Sequence, residues 1–185
     1  MMDVTDIRLE TPRLRLRAIQ AEDVCDLHTA LSDPAVSALA GFPLCAAFDD
    51  SRRRVNRCCE KKNTLVAVLK ETGEVIGCIT MESRDRSAAP VDRSMMGLEL
   101  GFLLGQAHWG HGFMPEALQA LSSYCFRELH CDFLTCSRFP ENHQCARILE
   151  KCGFRHAFDS AVQIPDGRTV PLKSYIRYAS QTKED

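Results

Sequence analysis

Two glycines separated by one residue stand between an apolar segment and the start of a helical pattern, in Trp109-Gly110-His111-Gly112-Phe113-Met114. Glycine lets the backbone turn tightly and come close to a ligand. Pro115 suits the start of the following helix, because its missing N–H would have no partner there. The unpaired N–H groups of such a loop and helix start bind anionic oxygens. The spacing therefore predicts a pyrophosphate site.

Other phosphate-binding and metal-binding motifs fit this segment less well. A P-loop needs Lys followed by Ser or Thr after its glycines, and neither follows here. A Rossmann fingerprint needs a third glycine where Pro115 stands, and an acidic residue about 20 residues further on. His108 and His111 are spaced like a metal pair, but the sequence offers no evident third ligand. We therefore expect no metal in this segment.

Hydrophobic periodicity predicts the elements that position this loop. Strict alternation over residues 9–19 predicts a half-buried strand, with Leu14 and Leu16 on one face and Arg13, Arg15 and Arg17 on the other. Residues 21–33 read as a helix that stops before Pro34, followed by a loop at 41–50. The remaining elements are a helix at 51–62, a hairpin of strands at 64–70 and 75–81, a polar loop at 83–94, a buried strand at 96–104, a helix from Pro115 to Leu129, a strand at 132–138, a helix at 142–152 ended by Gly153, and strands at 156–164 and 172–178.

This order of elements predicts an α/β (α+β) fold. The central sheet is expected to be mixed and mostly antiparallel, with helices on both faces. The crossover from 96–104 through the helix at Pro115 to 132–138 should join two parallel strands. A length of 185 residues favours one domain over residues 1–185.

Composition excludes two broad classes of function. The chain has 23 Lys and Arg against 25 Asp and Glu, a balance that argues against a general nucleic-acid binder. The basic helix at 51–62 is therefore read first as a solvated face and second as a patch for an anionic partner. No apolar run reaches the roughly 18 residues that span a bilayer. The N-terminal residues lack the apolar region of a secretory signal, so we expect a cytoplasmic protein without membrane partners.

The ten cysteines contain no C-x-x-C spacing, so neither a zinc ribbon nor a thioredoxin-type pair is indicated. Most lie in apolar runs, as Cys78 and Cys125 do, where cysteine packs as a small hydrophobic residue.

Four segments in register resemble one family, the GNAT N-acetyltransferases, and most closely their RimJ/RimL-like branch. The segments are LETPRLRLR, LELGFLLGQAHWGHGFMPEAL, ENHQCARILEKCGF and SYIRYA, and the resemblance covers about residues 8–179. One departure is Ala107, which stands where many relatives have Gln or Arg; binding by backbone amides tolerates this change.

The resemblance implies acetyl-CoA as cosubstrate and assigns its contacts. Backbone N–H groups of the loop would hold the pyrophosphate, the end of the buried strand would pair with the pantetheine arm as an added strand would, and an amide side chain would bind a pantetheine amide or an ordered water. The loop residues are Gly110, His111, Gly112, Phe113 and Met114. The strand residues are Phe102, Leu103 and Leu104, and the amide side chain is that of Asn142.

The resemblance also suggests candidates for proton transfer. Glu99, in the buried strand, is the first candidate for the base that removes a proton from the amine, and Glu82 is its substitute. Glu99 could instead be a core-edge residue paired with an arginine. Cys145 occupies the family's Ser position beside the thioester and is a candidate acid, or a small packing residue. Tyr124 and Tyr175 are other possible donors, the first more readily explained as core.

The predicted function is therefore acetyl-CoA-dependent transfer of an acetyl group to a primary amine by direct attack. A protein N-terminal α-amine is the acceptor that the branch suggests, and a small amine such as a polyamine, amino acid or antibiotic is the alternative. A covalent acetyl-Cys145 route and a non-catalytic CoA-binding sensor or interaction module are the rivals. The acceptor should contact the loops at 33–50, 83–94 and 160–171, and the chain should be a monomer or homodimer.

Overall fold

The computed structural model describes residues 2–83, 91–92, 94–163 and 167–179. These residues form a central sheet of eight strands, in the order β1-β2-β3-β4-β5-β6-β8-β7. The strands are β1 Arg8–Glu10, β2 Leu14–Ala18, β3 Thr64–Leu69, β4 Val75–Ser83, β5 Gly97–Leu104, β6 Phe133–Arg138, β7 Arg155–Gln163 and β8 Thr169–Tyr178.

Five α-helices cover the two faces of the sheet. They are α1 Val24–Leu31, α2 Pro34–Ala40, α3 Phe48–Lys61, α4 Phe113–Arg127 and α5 His143–Lys151. Helices α1, α2 and α3 contribute to one apolar core with the sheet, and α4 and α5 contribute to a second core on the opposite face. The predicted α/β (α+β) class is confirmed, with helices on both faces. Residues 64–68 of β3 and 75–79 of β4 are all buried, which explains their almost continuous apolar sequences.

Every neighbouring pair of strands is antiparallel except β5 and β6. The parallel pair is joined through α4, as the sequence predicts for the crossover. The hairpin of β3 and β4 is also confirmed.

The N-terminal segment forms two strands rather than the single strand that alternation predicts. Thr11 ends the first strand, since its backbone N–H donates to the Leu14 carbonyl and its hydroxyl accepts from the Leu14 N–H at 2.8 Å. Pro12, which lacks an N–H, lies in the resulting turn. Only β2 shows the expected alternation, with Leu14 and Leu16 buried.

Helix α2 is absent from the sequence-based prediction, which ends the preceding helix before Pro34 and leaves the chain without structure up to residue 50. Asp33 caps α2 because its carboxylate accepts from Ala35 N at 2.7 Å, and Pro34 takes the first position. Helix α3 also begins earlier than expected, at Phe48.

Candidate active site

A cleft opens between β5 and β6, the only parallel pair of strands among the described residues. Their pairing ends at Glu99 and Thr135. Beyond that point β5 continues to Leu104 on β4, and β6 continues to Arg138 on β8. The last five residues of β5 therefore present a backbone edge that has no partner strand on the β6 side.

The cleft encloses a cavity of about 570 Å³. One wall is the end of β5, from Gly101 to Leu104, and the other is Cys136 to Arg138 of β6. Helices α2 and α5 and the loop before α4 complete it. Of the nine predicted cofactor-contact residues, His111 is not among the residues that line this cavity. The other eight line it: Phe102, Leu103, Leu104, Gly110, Gly112, Phe113, Met114 and Asn142.

The loop before α4 presents unpaired backbone donors. Gly110 and Gly112 have φ of 79° and 78°, a conformation that glycine adopts at little cost. Among the described residues, no acceptor pairs with the backbone N–H groups of residues 110–114. Helix α4 begins at Phe113 rather than at the predicted Pro115, so the proline is its third residue. Its missing N–H is still one of the first four, which have no partner within a helix.

Thr11 and Arg13, which are distant in sequence, brace this loop through Glu116 in the first turn of α4. The Glu116 carboxylate accepts from the Thr11 hydroxyl at 2.6 Å and from the Arg13 backbone N–H at 2.9 Å. It also forms an ion pair with the Arg13 guanidinium, whose Nη2 lies 2.7 Å away. Arg13 Nη1 then donates to the His111 carbonyl at 2.9 Å. These bonds fix the turn between β1 and β2 against the glycine loop.

Trp109 fastens the other end of the loop. Its indole N–H donates to the Leu104 carbonyl at 2.8 Å, and its ring packs against the core beneath α1 to α3. The ring of His111 stacks on Phe113 with centroids 5.8 Å apart, while His108 Nε2 lies 3.4 Å from Glu74. Within the described ranges, no group of three or more His, Cys, Asp or Glu side chains is placed to hold a metal ion.

Glu99 lies at the closed end of the cleft, at the last position where β5 pairs with β6. Its carboxylate accepts a hydrogen bond of 3.2 Å from the hydroxyl of Ser137, which lines the cavity. Further hydroxyl contacts of 3.0 Å join Ser137 to Ser174 and Ser174 to Ser160. A chain of hydrogen bonds thus leads from Glu99 across β6 and β8 to β7.

Glu82 lies directly opposite Glu99 on β4. Its carboxylate lies 3.7 Å from Lys61 Nζ and 3.4 Å from the side-chain amide of Asn63, and 61% of its side chain is exposed. Glu99 is less exposed than Glu82 and contacts a residue of the cavity wall.

Cys145 lines the cavity in the first turn of α5 and is buried. The thiol of Cys145 beside it, together with burial, raises the pKa of Cys136 well above its usual value. Cys136 therefore stays a neutral thiol, and both cysteines face the same cavity.

Asn142 caps α5 and ties it to α2. Its Oδ1 accepts from the Cys145 N–H at 2.9 Å, and its Nδ2 donates to the Leu39 carbonyl at 2.9 Å. A side chain at Gly41, which follows α2 with φ of 70°, would collide with the Phe139 ring. These contacts hold α2 across the cleft. The contact of Asn142 with a pantetheine amide stays a prediction.

The two tyrosines considered as alternative proton donors belong to the apolar core: Tyr175 is buried in it, and Tyr124 packs against it. The Tyr175 hydroxyl accepts from Arg138 at 3.3 Å from Nε and 3.1 Å from Nη2. Arg138 also donates to the carbonyls of Phe139 and Pro140, and so shapes the loop before α5. Tyr124 packs against the core beneath α4, in agreement with its interpretation as a core residue.

Sequence reasoning missed Ser137, Arg138, Thr11, Arg13 and Glu116. One signal was present, since alternation in β6 places Ser137 on the same face as Thr135, the residue paired with Glu99. Most of the loop predicted at 83–94, and part of that at 160–171, lie outside the described residues.

With this geometry in place, comparison with known proteins decides the family. The family model of the acetyltransferase (GNAT) domain matches residues 13–155. The chain belongs to the GNAT acetyltransferase family. The predicted family is thereby confirmed, and acetyltransferase activity follows from it.

Relatives of this GNAT protein agree with that assignment. The uncharacterized N-acetyltransferase p20 of Bacillus licheniformis is 29% identical over 152 residues, which are 80% of this chain and 82% of that protein. A GNAT-family acetyltransferase from Bacillus anthracis matches the fold with a TM-score of 0.78 and 21% identity, covering 94% of this chain and 99% of that one. Ribosomal-protein-S5-alanine acetyltransferase from Vibrio fischeri matches with a TM-score of 0.70 and 17% identity, covering 96% and 100%.

The GNAT family generally uses acetyl-CoA, and the unpaired N–H groups of residues 110–114 fit an anionic pyrophosphate. No helix in the described part of the chain is both long and apolar enough to cross a membrane.

Proposed function

We propose that this protein is an acetyl-CoA-dependent N-acetyltransferase that acetylates a primary amine by direct attack, and that a protein N-terminal α-amine is the first acceptor to test. The observation that carries the proposal is the row of unpaired N–H groups at residues 110–114, which adjoins the open edge of β5. The oxygens of a pyrophosphate accept hydrogen bonds from such N–H groups, and an arm that carries amides can pair with an open strand edge.

Backbone groups supply most of the contacts to acetyl-CoA in this proposal. The N–H groups of residues 110–114 bind the pyrophosphate oxygens, and the edge of Phe102, Leu103 and Leu104 pairs with the pantetheine amides. Arg147 and Lys151 line the same cavity from α5 and add positive charge near the phosphates. Bound acetyl-CoA supplies the acetyl thioester that the amine attacks.

Glu99 removes a proton from the amine. An amine near pH 7 is mostly protonated, so it needs a base before it can attack. Glu99 acts through the Ser137 hydroxyl or through water, because the cavity wall begins two residues further along β5, at Gly101. The Ser174 hydroxyl is hydrogen-bonded to the Ser137 hydroxyl and keeps Ser137 oriented.

Cys145 protonates the departing thiolate. It lies in the cavity wall on α5, and its neighbour Cys136 is held as a neutral thiol.

The test combines calorimetry of CoA binding with acetyl transfer to peptides, polyamines and amino acids. Acetyl transfer is best followed by mass spectrometry of the acceptor, because the ten free cysteines would react with thiol reagents. We expect Glu99→Gln to lower kcat about 100-fold or more while CoA affinity stays the same. Its remaining rate should rise with pH as more of the acceptor amine is already neutral.

Companion variants separate the candidates for the base. Ser137→Ala should lower kcat less than Glu99→Gln, because water can replace a hydroxyl in a chain of hydrogen bonds. A larger loss of kcat in Glu82→Gln than in Glu99→Gln would transfer the role to Glu82. Equal rates for wild type and Glu99→Gln at every pH would remove Glu99 from the mechanism. CoA binding without acetylation of any acceptor would instead identify a CoA-binding module.

A further inference from the structure

A second cavity, of about 140 Å³, lies on the face of the sheet covered by α1 and α3. It adjoins the main cleft, because Ala40, Gly101, Phe102 and Leu103 line both. Its size is below the roughly 300 Å³ at which sites for drug-sized ligands begin, so it suits one side chain or a small molecule. Its walls are mainly apolar: Ile19, Leu27, Leu31, Phe42, Val55 and Leu103.

Of the described residues that line this cavity, one is basic, Arg54 of α3. Its guanidinium carbon lies 4.3 Å from the centroid of the Phe42 ring. The preceding residues on the helix, Arg52 and Arg53, form ion pairs with Asp49 and Asp50. Within the ranges that the structure describes, Arg54 has no carboxylate partner of this kind.

The surroundings of Arg54 strengthen its attraction for an anion. Charges interact more strongly next to apolar walls than in water, and a guanidinium binds a carboxylate through two parallel N–H donors. The thiols of Cys58 and Cys78 also line the cavity, and burial raises the pKa of the Cys78 thiol to about 12, so Cys78 is neutral. An anion entering the cavity therefore meets one cation and no competing carboxylate among the lining residues that the structure describes.

The cavity is also next to the proposed base. Glu99, Gly101 and Leu103 project from the same face of β5 by alternation, and Leu103 belongs to the core on that face. Two residues of a strand span about 6.6 Å, so the cavity begins one such step from Glu99. A side chain does not fit at Gly101, because a Cβ there would lie 2.7 Å from the hydroxyl of Thr80, which also lines the cavity.

We propose that this second cavity is the acceptor subsite, and that Arg54 binds a carboxylate of the acceptor. The inference rests on the proposed function, and it names the substrate class: an amine that carries a carboxylate a few bonds away. Two sources share this chemistry. One is a free amino acid, and the other is a peptide whose first residue is Asp or Glu.

The experiment compares acceptors that differ only in the carboxylate, at saturating acetyl-CoA. One pair is leucine and leucinamide, and the other is a peptide beginning with Glu and the same peptide beginning with Gln. We expect wild type to use the carboxylate member of at least one pair about 10- to 100-fold better in kcat/KM. The pair that shows the preference identifies the source.

The variant Arg54→Met keeps an unbranched apolar side chain over Phe42 and removes the charge. It should abolish the preference by raising KM for the carboxylate acceptor, while kcat and CoA affinity change little. Arg53→Met, one residue away on the same helix, is the matched control and should keep the preference. Arg54→Lys keeps the charge without the two parallel donors and should retain part of it, which provides a second readout if Arg54→Met does not fold.

Equal use of carboxylate and amide acceptors by wild type would overturn the subsite and leave acetyl transfer intact. A preference that survives in Arg54→Met would do the same. Acetylation of no acceptor at all, amide or carboxylate, would overturn the proposed function, and the inference with it.

Discussion

Replacement of Glu116 tests whether side chains from a distant part of the sequence hold the glycine loop in place. The Glu116 carboxylate receives hydrogen bonds from the Thr11 hydroxyl, the Arg13 backbone and the Arg13 guanidinium, and its side chain is 17% exposed. Glu116→Gln keeps one oxygen for Thr11 and the Arg13 backbone, but loses the ion pair. Glu116→Ala loses all of these bonds.

The expected magnitudes follow from the number and kind of bonds lost. A hydrogen bond to a charged group contributes about 1.5–3 kcal/mol, and the lower value applies here because the Arg13 side chain is 46% exposed. We expect the free energy of unfolding to fall by about 1–2 kcal/mol in Glu116→Gln and about 2–4 kcal/mol in Glu116→Ala. Asp49→Asn, which breaks an exposed ion pair with Arg52, should cost about 0–1 kcal/mol.

The assay uses urea unfolding followed by the fluorescence of Trp109, which is the single tryptophan and lies beside the loop. If the loop conformation that binds CoA is destabilised by the same amount, about 1–2 kcal/mol, the Kd for CoA should rise about 5- to 30-fold in Glu116→Gln. An unchanged urea midpoint in Glu116→Gln would refute the bracing argument. A lower midpoint with unchanged CoA affinity would show that the bonds stabilise the fold without shaping the loop.

The pH dependence gives an independent check. Burial by itself would raise the pKa of Glu116, but the hydrogen bonds from Thr11 and Arg13 outweigh it and lower the pKa below the ordinary 4.5. A carboxylate whose pKa is lowered by folding stabilises the protein above its unfolded pKa, and this contribution is lost as pH falls through the folded value. The difference in stability between wild type and Glu116→Gln should therefore be full above about pH 4.5 and shrink below it.

Two further predictions concern α5. Cys145→Ala should lower kcat about 10- to 100-fold, and Cys145→Ser should recover part of the lost rate, because a hydroxyl can replace the thiol as proton donor. Complete loss of activity in Cys145→Ala, together with an acetylated form of the wild-type protein detected by mass spectrometry, would favour the covalent route. Asn142→Ala should lower the free energy of unfolding by about 1–2 kcal/mol, since it removes the cap of α5 and the bond to the Leu39 carbonyl; a urea midpoint equal to that of wild type would contradict this role.

Much of the fold could be predicted from short-range patterns. The alternation of β2, the hairpin of β3 and β4, and the crossover through α4 all match the structure. The prediction is wrong at α2, where one local signal has two meanings. Asp33 followed by Pro34 is a typical helix start, and the same two residues also mark the end of α1.

The candidate site could be predicted only in part. The glycine spacing identified the loop, because a positive φ and a missing side chain are properties of single residues. The strand that carries Glu99 was also identified, but not the hydroxyl of Ser137 that links its carboxylate to the cavity. That link depends on where the pairing of β5 and β6 ends.

The sequence by itself determined most of the elements, their order and the turn at Gly110 and Gly112, since these depend on interactions within a few residues. Tertiary structure alone decided the opening of the cleft, the ion pair of Glu116 with Arg13 over 103 positions, and the placement of Arg54 over Phe42. Such contacts form only when packing of helices on the sheet brings distant segments together. Their partners leave no periodic pattern in the chain, so the site acquires its chemistry only on folding.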